Sequence, residues 1–363
     1  EDGNLSFPLL FSQALDSDNE EGSIGFSSDQ RTIFFTQENP NNKQLFTLHK
    51  ATLNEKDAKK WTNITNLNVV PEQYSAETPS VSPDGKKIYI ASNIPGGFGG
   101  FDIYEATIAE DGTIGKLVNL GPNVNTADDE KYPFMSSDNK YLYFSSKGHL
   151  NLGGYDVFRS AYVDNSFLAA MNLGTDLNSR RDDVAFVMTS PSKGYISTDK
   201  KQSGNFDILK FEIKKQENLH FNYTIVEEVT KTPLPNANVV VTDEFGTKLT
   251  ETQSDNNGKI KLALEPLTTY NVVVNKDGYE TKKLNIATGD TDKNIALTQK
   301  KAVVTEDAIV IENIYFDFNK SSIKKESELS LNKIVEVLKN NTTMSITINA
   351  HTDSKGSETY NQT

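Results

Sequence analysis

Near the C-terminus the run Asn349-Ala350-His351-Thr352-Asp353-Ser354-Lys355-Gly356-Ser357-Glu358-Thr359-Tyr360-Asn361 sets one carboxylate, Asp353, in a glycine-containing loop. The loop lies between an alternating apolar strand, residues 344–350, and the first turn of a helix. Backbone N–H groups at such a strand-to-helix junction converge on one concavity and suit a carboxylate ligand. Asp353, in the same place, suits an ammonium. The free head of an amino acid carries both charges and satisfies both halves. The competing reading makes Asp353 a helix cap and nothing more.

The rest of the chain must position that stretch. Its 363 residues are too many for one ordinary core, so two or three domains are expected. A net charge of −13 leaves nothing to neutralise phosphates, which argues against nucleic acid and against an anionic lipid surface. There is no cysteine, hence no disulfide, thiolate metal site or cysteine nucleophile. No apolar run is long enough to span a membrane, and no signal peptide precedes Glu1, so the chain reads as a mature or trimmed segment.

Residues 1–214 repeat. Gly25-Phe26-Ser27-Ser28-Asp29, Pro79-Ser80-Val81-Ser82-Pro83-Asp84-Gly85 and Pro133-Phe134-Met135-Ser136-Ser137-Asp138-Asn139 align, with a degenerate fourth copy from Phe186 to Ile196. Asp29, Asp84 and Asp138 stand 55 and 54 positions apart. Each unit reads as four short strands with a tight turn after the first, the pattern of a propeller blade. An acidic residue precedes each inner strand: Glu21, Glu77, Glu130 and Asp183. These form a channel-facing ring for a cation or, as we expect, bond strand ends. Asp102, Asp156 and Asp207 follow glycine-rich turns and are expected to fix those turns rather than bind calcium. His149 has no partner histidine nearby, so no metal role is expected. Loop 93–100 exposes Phe98 as a structural turn or a partner surface.

The units resemble the PD40, TolB-like propeller repeat through Ser82-Pro83-Asp84-Gly85-Lys86, Ile88-Tyr89 and Gly100-Phe101-Asp102-Ile103-Tyr104. At least four blades are expected. Phe7-Pro8-Leu9-Leu10-Phe11 aligns with an outer fourth strand, so it either closes a four-bladed ring or belongs to further blades upstream; the second is preferred.

Residues 215–300 carry short alternating strands at 219–226, 238–242, 259–264, 270–275, 282–286 and 294–297, separated by turn signals, as in a β-sandwich. Thr232-Pro233-Leu234-Pro235-Asn236-Ala237, Asn257-Gly258-Lys259 and Gly278-Tyr279 resemble the carboxypeptidase regulatory-like family, which implies a non-catalytic spacer or docking module.

Residues 301–363 read as strand 309–318, a cap at Ser321-Ser322, a helix over 324–339 and strand 344–350. Tyr315-Phe316-Asp317-Phe318-Asn319 together with His351-Thr352-Asp353-Ser354-Lys355-Gly356 and Tyr360-Asn361 resembles the OmpA C-terminal family, which binds peptidoglycan. The resemblance implies that Asn319, Asp353 and Asn361 contact the diaminopimelate of a stem peptide, with Thr352 and Gly356 shaping the loop. The family's arginine, further along the helix, lies past Thr363, so these residues are the N-terminal half of such a domain.

The fold expected is therefore mainly β: propeller, β-sandwich, then a partial α/β OmpA-like domain. This domain order resembles the PorE-type lipoproteins associated with type IX secretion. That implies a periplasmic protein tied to the outer membrane by an upstream lipid and to the wall by its C-terminal module, with the propeller binding envelope proteins. His49, His149, His220 and His351 are scattered and no nucleophile motif occurs, so neither enzyme activity nor a cofactor or metal is expected. Two alternatives stand: a protein scaffold without wall binding, and a glycan hydrolase using acid pairs in the propeller.

Overall fold

The computed structural model describes residues 10–57, 60–214, 218–265, 268–287, 294–300, 314–315, 322–340 and 346. It divides into two compact units: Glu1–Leu219 with the short pieces Asp243–Thr247 and Leu264–Thr269, and the remainder.

Four antiparallel sheets follow one another in the first unit. Blade 1 is β1 (Glu21–Phe26), β2 (Thr32–Asn39), β3 (Asn42–Leu53) and β4 (Trp61–Asn66). Blade 2 is β5 (Ala76–Val81), β6 (Lys87–Ser92), β7 (Asp102–Thr107) and β8 (Val118–Asn119). Blade 3 is β9 (Glu130–Met135), β10 (Tyr141–Ser146) and β11 (Asp156–Val163), with the two short strands β12 (Ser166–Phe167) and β13 (Met171–Asn172) both paired to β11. Blade 4 is β14 (Asp183–Ser190), β15 (Lys193–Thr198) and β16 (Asp207–Glu212). The first strands of the blades lie side by side, β1 against β5, β5 against β9 and β9 against β14, as the inner strands of a propeller do.

Local chemistry explains why each blade turns where it does. In Ser27-x-Asp29, Ser82-x-Asp84 and Ser136-x-Asp138 the serine Oγ donates to the aspartate at 2.6 Å. The same Oγ accepts the N–H of Thr32, Lys87 or Tyr141 at 2.9 Å, closing the hairpin. Gly85 and Asn139 take the left-handed conformation that such turns require; in blade 1 Gln30 does so instead.

The blades hold one another by burying facing side chains. Phe34, Leu48, Ile88, Ile90 and Tyr104 pack between blades 1 and 2. Tyr89, Ile103, Leu142, Phe144 and Phe158 pack between blades 2 and 3, and Tyr143, Val157, Phe186 and Ile196 between blades 3 and 4. Each such fully buried side chain contributes about 1.5–3 kcal/mol of transfer free energy.

The second unit holds two sheets. Strand β17 (Leu219–Glu227) lies between β20 (Lys259–Leu264) and β23 (Asn294–Leu297), running parallel to the latter. The other sheet has the order β19 (Lys248–Gln253), β18 (Asn238–Thr242), β21 (Thr269–Asn275), β22 (Lys282–Ala287). Inward residues alternate with outward ones: Val239 and Val241, Ile260 and Leu262, Val272 and Val274 are all buried. Strand β19 has no counterpart among the strands expected from the sequence. Its residues Lys-Leu-Thr-Glu-Thr-Gln lie at the sheet edge, and even Leu249 is half exposed, so there is no alternation to read.

A 3-10 turn, Lys325–Ser327, leads into α1 (Glu328–Asn340). The helix starts later than its apolar spacing implies. Lys324, not the Ser321-Ser322 pair, stands at the N-cap of the turn, and no side chain caps it. Ile334 is the buried anchor of the helix, whereas Val335 is 45% exposed. No helix among the described residues is long and apolar enough to cross a membrane.

Candidate functional site

Asn319, Thr352, Asp353, Gly356 and Asn361, the residues expected to bind the wall, lie outside the described residues. What is described nearby is the backbone of Tyr315, in the sequence run that leads to Asn319. Ser327 Oγ accepts the Tyr315 N–H at 2.6 Å and donates to Tyr315 O at 3.4 Å. Tyr315 O also accepts the Lys324 N–H at 2.9 Å. The entry to α1 thereby grips both backbone polar groups of one residue, Tyr315, in the Tyr315-Phe316-Asp317-Phe318-Asn319 run. A site that takes one residue from this run and others from a later loop needs such a fixed start.

In the propeller the four acids grouped by sequence do not form one ring. Strand register pairs Ala76 with Ser92 and Glu130 with Ser146, so Ala76, not Glu77, is the counterpart of Glu130. Glu77 is instead the counterpart of Lys131, and the two form an ion pair across blades at 2.7 Å, with the Lys131 ammonium 3.6 Å from the Phe101 ring centre. Glu130 is fully buried and accepts from Thr126 N at 2.7 Å and from Thr126 Oγ1 and Ser146 Oγ at 2.6 Å. Burial pushes its pKa up, and those hydrogen bonds offset part of the shift. Asp183 is likewise fully buried and accepts the Ser179 N–H at 2.6 Å, while Glu21 is exposed beside Ser17. Glu130 and Asp183 tie loops to strand ends.

The aspartates after the glycine-rich turns do the same. Asp102 accepts the N–H groups of Phe98 at 2.6 Å and Gly99 at 3.1 Å, and the Asn119 side chain at 2.7 Å. Asp156 accepts from Leu152 N and the Asn172 side chain, both at 2.7 Å. Asp207 departs from the pattern and pairs with Lys201 at 2.9 Å. His149 Nε2 bonds Val124 O at 2.8 Å, and its ring packs on Phe158. In loop 93–100 the Phe98 ring is half exposed, but its N–H is consumed by Asp102.

Two recurring devices escaped the sequence. The first joins blades: Phe101 N donates to Asp129 Oδ1 at 2.9 Å while Glu130 N donates to Phe101 O at 2.6 Å. Tyr155 with Asp182 and Asp183 repeats it at 2.8 and 2.6 Å, and Phe46 N uses Ser75 Oγ at 3.0 Å. Only glycine permits so close an approach: a Cβ on Gly99 would sit 2.1 Å from Asp128 O, and one on Gly153 2.3 Å from the Arg180 carbonyl carbon. The readable signal was the second acid before the inner strand, in Asp128-Asp129-Glu130 and Asp182-Asp183. The second device is an asparagine plug. Asn125 Oδ1 accepts the Ile103 N–H at 2.8 Å and its Nδ2 donates to Ile103 O at 2.9 Å; Asn178 does the same to Val157. Its signal is the repeated Asn-Leu-Gly-x-x-apolar-Asn of residues 119–125 and 172–178.

Comparison with known proteins falls on separate parts of the chain. The structure is similar to TolB from Agrobacterium tumefaciens at 12% identity and a TM-score of 0.38, over 78% of this chain and 87% of that one. It is similar to TolB from Acinetobacter baumannii at 12% identity and a TM-score of 0.33, over 68% and 54%. A puromycin hydrolase S511A mutant matches at 10% identity and a TM-score of 0.33, over 53% of this chain and 27% of that one. Among curated proteins, Photosystem I P700 chlorophyll a apoprotein A2 of Gloeobacter violaceus is 45% identical over 51 residues, which is 14% of this chain and only 6% of that protein. Residues 224–299 match the carboxypeptidase regulatory-like domain, and residues 315–363 match the OmpA family.

Proposed function

We propose that the chain is a non-catalytic periplasmic anchor that holds peptidoglycan through its C-terminal module and presents the propeller to other envelope proteins. The observation that carries this reading is the match of residues 315–363 to the OmpA family. Asn319, Asp353 and Asn361 serve in it as the ligand-contacting residues. In this reading Asp353 takes the ammonium of the diaminopimelate head and the N–H groups of the following turn take its carboxylate. Thr352 and Gly356 shape the loop. The sandwich serves as a spacer. Attachment to the outer membrane by an upstream lipid, and service in type IX secretion, rest on the order of the domains alone.

The propeller carboxylates described above support a structural rather than a catalytic role. Glu130, Asp183, Asp102 and Asp156 hold backbone N–H groups, and Glu77 and Asp207 hold lysines, which is not how a glycosidase pair is left poised. Direct titration tests the proposal: a stem peptide ending its side chain in diaminopimelate should bind, and the lysine-containing stem peptide, which lacks the second carboxylate, should bind roughly tenfold or more weakly. Equal binding of the two would sink the assignment of the amino-acid head.

A further inference from the structure

Blade 1 breaks the pattern of blades 2 and 3 at two places, and a cavity of about 220 Å³ lies there. By strand register Thr47 occupies the position of Asp102 and Asp156, and His49 that of Tyr104 and Phe158. Asn66 corresponds to Asn119 and Asn172. In all three blades this asparagine uses Oδ1 in the same way, accepting the N–H of Asn68, Gly121 or Gly174 at 2.8–2.9 Å. In blades 2 and 3 its Nδ2 goes to the aspartate at 2.7 Å. In blade 1 there is no aspartate, and Asn66 Nδ2 has no partner among the described residues. The asparagine plug is missing too. The loop that carries Asn125 and Asn178 is one residue shorter in blade 1 and runs through Val69, Val70 and Glu72, all of which line the cavity beside Leu48, the counterpart of Ile103.

The surroundings define what fits. Thr47 Oγ1 lies 3.2 Å from Gln37 O and 2.9 Å from His49 Nε2, and burial lowers the His49 pKa. Asn19, Asn41 and Asn68 add carboxamides whose side chains have no partner among the described residues. Glu72 and the net charge of −13 disfavour an anion. The volume is below the roughly 300–1,000 Å³ of drug-sized sites, so it admits one small ring.

We infer that this cavity binds an acetamido sugar, an N-acetylhexosamine unit whose amide takes the place of the missing asparagine plug. The acetamido C=O and N–H reproduce the acceptor and donor of the Asn125 side chain. Its methyl group meets Val69 and Val70. The ring hydroxyls, donors and acceptors at once, match Asn66 Nδ2 and the carboxamides at the rim. The cavity is lined by residues of the first unit, and the inference does not rest on the reading of the C-terminal module.

Saturation-transfer NMR on the whole chain tests it with free ligands, so no outcome depends on Asp353. N-acetylglucosamine should show transfer strongest at the acetyl methyl, and glucose should show none. Thr47→Asp, which restores the side chain of blades 2 and 3, should weaken binding roughly tenfold, and Asn66→Ala, at an exposed position that leaves folding intact, should weaken it similarly. A β-linked N-acetylglucosamine trimer and an N-acetylglucosaminyl-N-acetylmuramyl disaccharide form two further arms; whichever binds more tightly identifies an unsubstituted glycan or the wall as the source. Equal transfer to glucose, tighter binding of N-acetylasparagine amide, no transfer at about 10 mM sugar, or undiminished binding by both variants would each overturn the inference.

Discussion

Phe101 and Asp129 meet across the junction of blades 2 and 3: the Phe101 N–H donates to Asp129 Oδ1 at 2.9 Å. The adjoining Glu130 N–H returns a bond to Phe101 O at 2.6 Å, so both backbone polar groups of one residue are held by the next blade. Asp129→Ala leaves that N–H without its acceptor and should cost about 1–3 kcal/mol, whereas Asp129→Asn, which keeps a carbonyl oxygen, should cost less. Chemical denaturation of the two variants checks this. Equal stability of Asp129→Ala and the parent would show that the latch contributes nothing.

Asp156 gives a pH-dependent prediction. It is fully buried, its Oδ1 has no hydrogen-bond partner, and burial, aided by the nearby charge of Asp183, raises its pKa. A raised carboxyl pKa contributes stability that is present below the unfolded value of 3.8 and is lost as pH rises through the folded value. Asp156→Asn keeps an oxygen for Leu152 N and Asn172 and removes the charge. The thermal midpoint of the variant should therefore gain on the parent between pH 4 and pH 7. A difference that stays flat or shrinks over that range would contradict the account.

The hairpin serines should behave alike. Ser82 Oγ donates to Asp84 and accepts the Lys87 N–H, and its hydrogen bond is the main cause holding the Asp84 pKa down. Ser82→Ala should cost about 1 kcal/mol. It should also shift the Asp84 titration upward in carbon-detected NMR; an unmoved titration would show that the hydroxyl is not the cause.

What was legible in the sequence was local. Ser-x-Asp turns set their own geometry within six residues, so Asp29, Asp84 and Asp138 announced the blades. The strands of the sandwich announced themselves by alternation, except β19, whose exposed edge carries none. Glu77 was misgrouped by its place just before the inner strand. The bulge that follows it, with Thr78 left-handed, recurs at Tyr132 and Ala185 and does not set it apart. The readable signal was its distance from the turn: Glu77 stands one position nearer Asp84 than Glu130 stands to Asp138. Asp129 and Asp182 were missed because they act on a neighbouring blade, and the blade 1 cavity because it arises from what Thr47 is not. In the C-terminal module the situation reverses. Asp353 and Asn361 are read from the sequence, and the structure supplies only the Tyr315–Ser327 clamp that precedes them.

The most direct test of the wall-anchor claim is co-sedimentation of the full-length protein with insoluble peptidoglycan sacculi, beside an Asp353→Ala variant shown to be folded. The account predicts that the parent pellets and the variant stays in the supernatant. If both stay soluble, or if the variant pellets as fully as the parent, Asp353 does not hold the wall and the chain is better regarded as a protein-binding scaffold.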